Sequence, residues 1–348
     1  MTCIREILER DLNQKIAEII KVNQADEETV FEEITEYVVT DNIRKQYLAV
    51  LEAISKGPQT HQTDENIGIW VSGFFGSGKS SFAKILGYIL KNPSIHGTSA
   101  SALFKDQITD TRVSEYLDYI NAGIPTEVIM FDISTDRLVR HGGLEPMAEI
   151  MYRKLLEHLG YSTDFDIAEL EIQLEEEGTM DTFLSAFASL YPDTTWEKAR
   201  IGATKLNRAS ATLHQMEPQT FPSATSWAES VKIRQAELTV NKIVGRIFDL
   251  PGRRKPGKAL IFVIDEVGQY VARSSEKIED LRALVEQIGK EGKSRLKERK
   301  IPAPIWLVVT SQEKLNEVIA AIDSKNVQIA RLQDRFAYKV DLSPADIR

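Results

Sequence analysis

Gly73-Phe74-Phe75-Gly76-Ser77-Gly78-Lys79-Ser80 gathers turn-forming glycines, one cation and one hydroxyl into a single short stretch. It follows β-forming residues (Ile69-Trp70-Val71-Ser72) and precedes a helical pattern from Ser81 to Leu90. A G-x-x-x-x-G-K-S spacing between strand and helix predicts a phosphate-binding loop. Glycines let the backbone turn tightly, so that N–H groups of the loop and of the helix start aim inward as an anion nest. Gly73, Phe74, Phe75, Gly76, Ser77, Gly78 and Ser81 then form the cradle. Lys79 reaches the β- and γ-phosphates as a point charge, and Ser80 offers its hydroxyl to Mg²⁺. The cofactors this predicts are ATP and Mg²⁺.

A second stretch, Ala259-Leu260-Ile261-Phe262-Val263-Ile264-Asp265-Glu266, is a continuous apolar run ending in two carboxylates. Such a run reads as a strand buried on both faces. In open α/β sheets, ligands sit at the carboxyl ends of strands. Asp265 is therefore expected in the Mg²⁺ shell, and Glu266 as the general base that polarises water. A later strand ends in Thr310-Ser311-Gln312. Thr310 is the first candidate to sense the γ-phosphate, then Ser311 and Gln312, with a simple helix cap at Ser311 as the competing reading. The segment before the last strand resembles the Arg-Phe segment of AAA+ ATPases, whose arginine enters a neighbouring subunit's site. Arg335 is that candidate and Arg331 the second choice, against a surface salt bridge.

These residues need a frame. Five short apolar runs read as core strands: 67–72, 127–133, 260–265, 305–310 and 337–342. Helical stretches separate most of them, which predicts a parallel α/β sheet with helices on both faces, of P-loop ATPase type. The extra strand between the glycine loop and Asp265, with Glu266 beside that acid, points to AAA+ proteins, helicases and signal-transduction ATPases. No guanine-reading Asn-Lys-x-Asp is present. Residues 1–60 read as helical, with apolar spacing from Ile4 to Ile19, helices over 29–37 and 42–55, and Thr40 or Asp41 as a cap. Gly57-Pro58 to Asn66 reads as a loop. The ATPase core occupies 61–133 and 259–348, interrupted by a mainly helical insertion over 134–258. Its expected helices are 146–159, 164–177, 183–190, 196–213 and 227–248, packed beside or above the nucleotide site.

The chain has 348 residues and a net charge of −9, which argues against broad nucleic-acid wrapping. Two basic clusters, Arg253-Arg254-Lys255 with Lys258 and Lys290 to Lys300, read as solvated loop or helix faces, as does the acidic run Glu175-Glu176-Glu177. A single cysteine, Cys3, excludes an internal disulfide framework and fits a reducing cytoplasm. No run is long enough to span a membrane, and the N-terminus lacks the layout of a secretion signal.

Glu36-Tyr37-Val38-Val39-Thr40, then Gly68 to Ser80, Ala259 to Glu266 and Trp306 to Glu313, together resemble the BrxC/PglY family of BREX phage-defence ATPases. The resemblance covers most of the chain and is weak across the insertion. It implies an AAA+-like core in a bacterial antiphage system, with partners that include other BREX proteins and a DNA methyltransferase, and a homo-oligomer in the full-length protein. It also places Tyr37, Val38 and Val39 where AAA+ proteins contact adenine, against plain helix-to-loop packing. Family members are longer, so Ser343 to Arg348 is expected to mark the point where a helical lid would begin. The expected function is ATP turnover coupled to assembly or remodelling of a defence complex. The alternatives are a nucleotide-gated scaffold and a DNA translocase or helicase.

Overall fold

The computed structural model describes residues 26–60, 65–140, 143–234, 238–272, 274–320 and 332–343. The pattern read between Ile4 and Ile19, and Arg331, lie outside them. The five apolar runs form one parallel sheet: β1 (Gly68–Ser72), β2 (Thr126–Asp132), β3 (Ala259–Asp265), β4 (Trp306–Ser311) and β5 (Tyr338–Asp341). Their spatial order is β2-β3-β4-β1-β5. β1 pairs with β4 and β5, and β3 with β2 and β4, all in parallel.

Side chains alternate across the sheet. Leu260, Phe262 and Ile264 of β3 join Trp70, Leu307 and Val309 on one face. Ile261 and Val263 join Ile69, Val71 and Val308 on the other. Both faces are covered by helices, which is why the strands read as unbroken apolar runs.

The second face is covered by α1 (Glu27–Thr35), α2 (Asp41–Thr60), α3 (Lys79–Lys91), α4 (Ala100–Lys105) and α5 (Thr111–Gly123). Thr40 caps α2, its hydroxyl accepting from the Ile43 N–H at 3.3 Å. The loop expected from Gly57 begins later, because α2 runs on to Thr60. Pro58 falls in the last turn, where it removes one intrahelical bond and the packed turns upstream hold the helix.

Between β2 and β3 the chain passes through α6 (Met147–Leu159), α7 (Phe165–Glu176), α8 (Met180–Leu190), α9 (Trp196–Ala199), α10 (Lys205–Met216), α11 (Ser226–Arg234) and α12 (Val240–Arg254). α13 (Val267–Val271) and α14 (Ser275–Lys297) follow β3, and α15 (Leu315–Ala320) follows β4. α6, α12, α13 and α14 cover the first face. α7 to α10 build a smaller core around Phe183, Phe187 and Trp196. α7 serves both, with Ala168 and Ile172 in the main core and Ile167, Leu170 and Leu174 in the small one.

Two long helices expected in the insertion are broken. The first stops at Ala199 and resumes at Lys205, and Gly202 lies in the intervening turn. The second restarts where Thr239 caps α12 by accepting from the Lys242 N–H at 3.3 Å. The small core also sits elsewhere than expected. His158, at the end of α6, lies 3.0 Å from Glu127 at the start of β2. Arg200 donates to the Gly160 carbonyl at 3.0 Å. The small core therefore flanks the end of the sheet where the strands begin, away from the glycine loop.

The acidic run is solvated at Glu176 and Glu177 as expected, but it also carries ion pairs. Glu176 pairs with Arg246 at 2.8 Å and Arg253 at 2.6 Å, and Glu175 pairs with Arg254. The first basic cluster is thus largely consumed within the fold, and Lys258 pairs with Glu127. In the second cluster, Arg295 pairs with Glu291 at 2.6 Å and also with Asp249.

Candidate functional site

β1 ends at Ser72, whose hydroxyl donates to the Asp341 carboxylate of β5. The chain then turns through Gly73 to Gly78 into α3. Gly76 and Gly78 have φ of 76° and 82°, the left-handed region that glycine tolerates. Gly73 is required for another reason. A Cβ there would lie 2.3 Å from Ser77 Oγ and 2.6 Å from the Leu342 carbonyl oxygen. The turn is held by the Ser77 N–H donating to the Phe74 carbonyl at 3.0 Å. Lys79 opens α3 and is 6 % exposed, with Nζ donating to the same Phe74 carbonyl at 3.0 Å. Ser80 and Ser81 are half-buried in the first turn. Phe74 and Phe75 project outward, 73 % and 91 % exposed.

β3 delivers Asp265 and Glu266 to the same end of the sheet. Asp265 is buried and accepts from the Thr310 hydroxyl. That hydroxyl oxygen in turn accepts from the Glu266 N–H at 3.0 Å, and the same N–H lies 3.2 Å from Asp265 Oδ1. Glu266 has φ 59°, a left-handed conformation that costs a non-glycine residue about 1–3 kcal/mol. Two anchored hydrogen bonds hold it there.

The electrostatics follow from this geometry. Burial pushes the Glu266 carboxyl above its usual range, aided by the charges of Asp265 and Asp132 and opposed by Lys79. Burial pushes the Lys79 ammonium below its usual range, opposed by Glu266 and Asp265. Two buried oxygens at this end, Ser77 Oγ and Glu266 Oε2, have no hydrogen-bond partner. Buried orphans are uncommon in a folded protein, and a water, an ion or a polar ligand would satisfy these two.

Several sequence expectations change here. Thr310 is fully buried and both its donor and acceptor capacity are used behind the acids. Its hydroxyl positions Asp265 and the Glu266 N–H. Ser311 is buried, its hydroxyl accepting from the Glu313 N–H at 3.1 Å, which is the capping role. Gln312 is the exposed one of the three and stands beside Glu266, where it favours the charged carboxylate.

Arg335 does not reach this site within its own chain. It pairs with Glu65 at 2.9 Å, at the end of the sheet where β1 and β5 begin. This is the salt-bridge reading. Tyr37 turns inward against Tyr47 and Phe104, with ring centroids 6.2 and 6.5 Å apart, and so packs the core. Val38 is 52 % exposed and Val39 half-buried. Asn42 Nδ2 donates to the Asp341 carbonyl at 3.4 Å, which brings this segment to the glycine-loop end of the sheet.

Asp132 was not anticipated. It ends β2 directly opposite Asp265, and it accepts from Ser134 N–H at 2.8 Å and Ser134 Oγ at 2.6 Å. The available signal was its place as a polar residue closing the strand beside the acids. Among the described residues, no three His, Cys, Asp or Glu side chains converge to hold a metal by themselves. A cation between Ser80 and Asp265 would draw its other ligands from phosphate and water, as Mg²⁺ does.

The fold and site define an α/β protein with a five-stranded parallel sheet and two unpaired buried oxygens, Ser77 Oγ and Glu266 Oε2, at the strands' carboxyl ends. No protein-family model matches the chain, and no solved structure matches it. No helix among the described residues is long and apolar enough to cross a membrane.

Proposed function

We propose that this chain is the Mg²⁺-dependent ATP-binding and ATP-hydrolysing core of a P-loop protein of the AAA+-like kind. One observation carries the reading: β4 lies between β1 and β3. The glycine loop and the acid pair thus stand on either side of one strand, which supplies Thr310 and is followed by Gln312. Loop N–H groups and the start of α3 bind the phosphates, and Lys79 neutralises their charge. Mg²⁺, held by Ser80 and Asp265 when bound, supplies charge neutralisation across the β- and γ-phosphates. Glu266, with its raised proton affinity and unpaired oxygen, takes the proton from the attacking water. Gln312 orients that carboxylate, and Asp132 sharpens its basicity.

Coupling of turnover to assembly or remodelling of a BREX defence complex, with a DNA methyltransferase among its partners, rests on the family resemblance. The test is phosphate release per chain across protein concentration, with Glu266→Gln as the blank and Lys79→Ala as the binding control. The reading expects turnover above the blank, climbing with concentration if a second copy completes the site. Equal rates for wild type and Glu266→Gln, or ATP affinity untouched by Lys79→Ala, would overturn it.

A further inference from the structure

β2 is an edge strand, paired only with β3. The Pro125 carbonyl accepts from the Ala259 N–H at 2.8 Å. With the register Thr126↔Ala259 to Asp132↔Asp265, this fixes which backbone groups point where. Residues 125, 127, 129 and 131 bond to β3, and those of Thr126, Val128, Met130 and Asp132 point outward. The Asp132 N–H is satisfied by Asp136 Oδ2 at 3.2 Å. Among the described residues, nothing hydrogen-bonds to the outward groups of Val128 and Met130.

A groove of about 440 Å³ opens along this stretch, with Val128 and Met130 on its floor and Tyr88, Lys91, Lys154, Glu157 and His158 on its walls. Sheet edges are usually blunted by proline, lysine on the strand or a covering segment. The Val128-Ile129-Met130-Phe131 run carries none of the first two. Alternating N–H and C=O groups two residues apart are matched by one kind of ligand, another extended polypeptide.

The groove's charges select among peptides. Lys154 is paired with Asp136 at 2.6 Å and Glu157 at 3.1 Å. His158 faces Glu127, which Lys258 also pairs. Lys91 has no carboxylate partner among the described residues, and with Lys255 it acts on His158 as a nearby positive charge. We propose that the recessed, unpaired edge of β2 docks a short acidic peptide strand from a partner protein, adding it to the sheet with a carboxylate side chain against Lys91. A second copy of this chain fits less well. Edge-to-edge pairing would need two recessed edges to meet and would bring like charges together.

The test is selection of a displayed library of random short peptides against the whole chain, followed by fluorescence polarisation of the enriched sequences. The expected peptides carry Asp or Glu, and Lys91→Glu weakens them at least about tenfold while the circular-dichroism melting curve is unchanged. N-methylation at alternate residues abolishes binding in one phase and spares it in the other, the signature of a paired strand. No enrichment, or equal binding to Lys91→Glu and in both methylation phases, would overturn the proposal. So would self-association in sedimentation velocity that Lys91→Glu dissolves, since the groove would then belong to a second copy.

Discussion

The two ends of the central sheet are built on opposite rules. Where the strands begin, polar groups of the insertion are matched. Glu171, buried in the small core, takes hydrogen bonds from Trp196 Nε1 at 2.7 Å, Arg200 at 2.8 Å and the Ser162 N–H at 2.8 Å. Glu169 is shared by Tyr152 at 2.8 Å and Arg246 at 2.8 Å. Where the strands end, Ser77 Oγ and Glu266 Oε2 are left unpaired, Glu266 is held with a positive φ, and a buried lysine lies near carboxylates. Glu171 and Glu169 are satisfied several times over at one end, whereas Glu266 keeps an unpaired oxygen and a strained backbone at the other, a local cost of the kind that clusters at ligand sites.

That contrast can be broken by exchanging the readouts. Glu266→Gln should cut ATP turnover by roughly 10²–10⁴ while ATP affinity is kept, in single-turnover phosphate-release kinetics. Full turnover would remove the site end from the chemistry. Arg200→Ala should do the converse. It leaves Glu171 buried with one cation fewer, costing about 3 kcal/mol in urea unfolding, with turnover per folded chain unchanged. An Arg200→Ala chain that loses rate but not stability would sink the division of labour.

pH sharpens the comparison. The Glu266 carboxyl is raised in the folded chain. Between the ordinary carboxylate range and that raised value, the native state binds more protons than the unfolded one, so stability falls as pH rises through the window. Glu266→Gln should therefore gain stability at neutral pH and gain nothing in acid, read by melting at the two pH values. The rate of the wild type should rise over the same window as the base loses its proton. Arg335→Ala is the smallest expected change. The Glu65 pair is partly solvated, so its loss should cost about 1 kcal/mol or less, with ATP affinity unmoved. A large fall in turnover of a concentrated sample would instead show Arg335 acting in a neighbour's site.

The framework was legible because its signals are local. Each strand is an apolar run of the right length, and the glycine loop declares itself by spacing and by the elements on either side. What was not legible depends on pairing across the chain. Thr310 and Gln312 are two residues apart in sequence, and only the sheet shows that one is buried behind Asp265 while the other stands exposed beside Glu266. Arg335 next to a phenylalanine could not announce Glu65 as its partner. Asp132 became part of the site only through its register with Asp265. The insertion's acidic and basic runs each looked solvated when read alone, because neither shows that the other lies against it.

β1 has a further consequence for the order of synthesis. Its two ladder partners, β4 and β5, both come from the last part of the chain. Trp70 donates to the Glu313 carbonyl across a sequence separation of 243, and Ser72 to Asp341 across 269. At ribosomal rates of about 5–20 residues per second, the strand bearing the glycine loop waits on the order of ten to fifty seconds for its neighbours. During that interval Ile69-Trp70-Val71 is an unpaired, strongly apolar strand, which is the kind of segment that nascent-chain chaperones shield. Slowing translation between residues 80 and 300 should lower the soluble yield of this protein more than the same delay placed after residue 341.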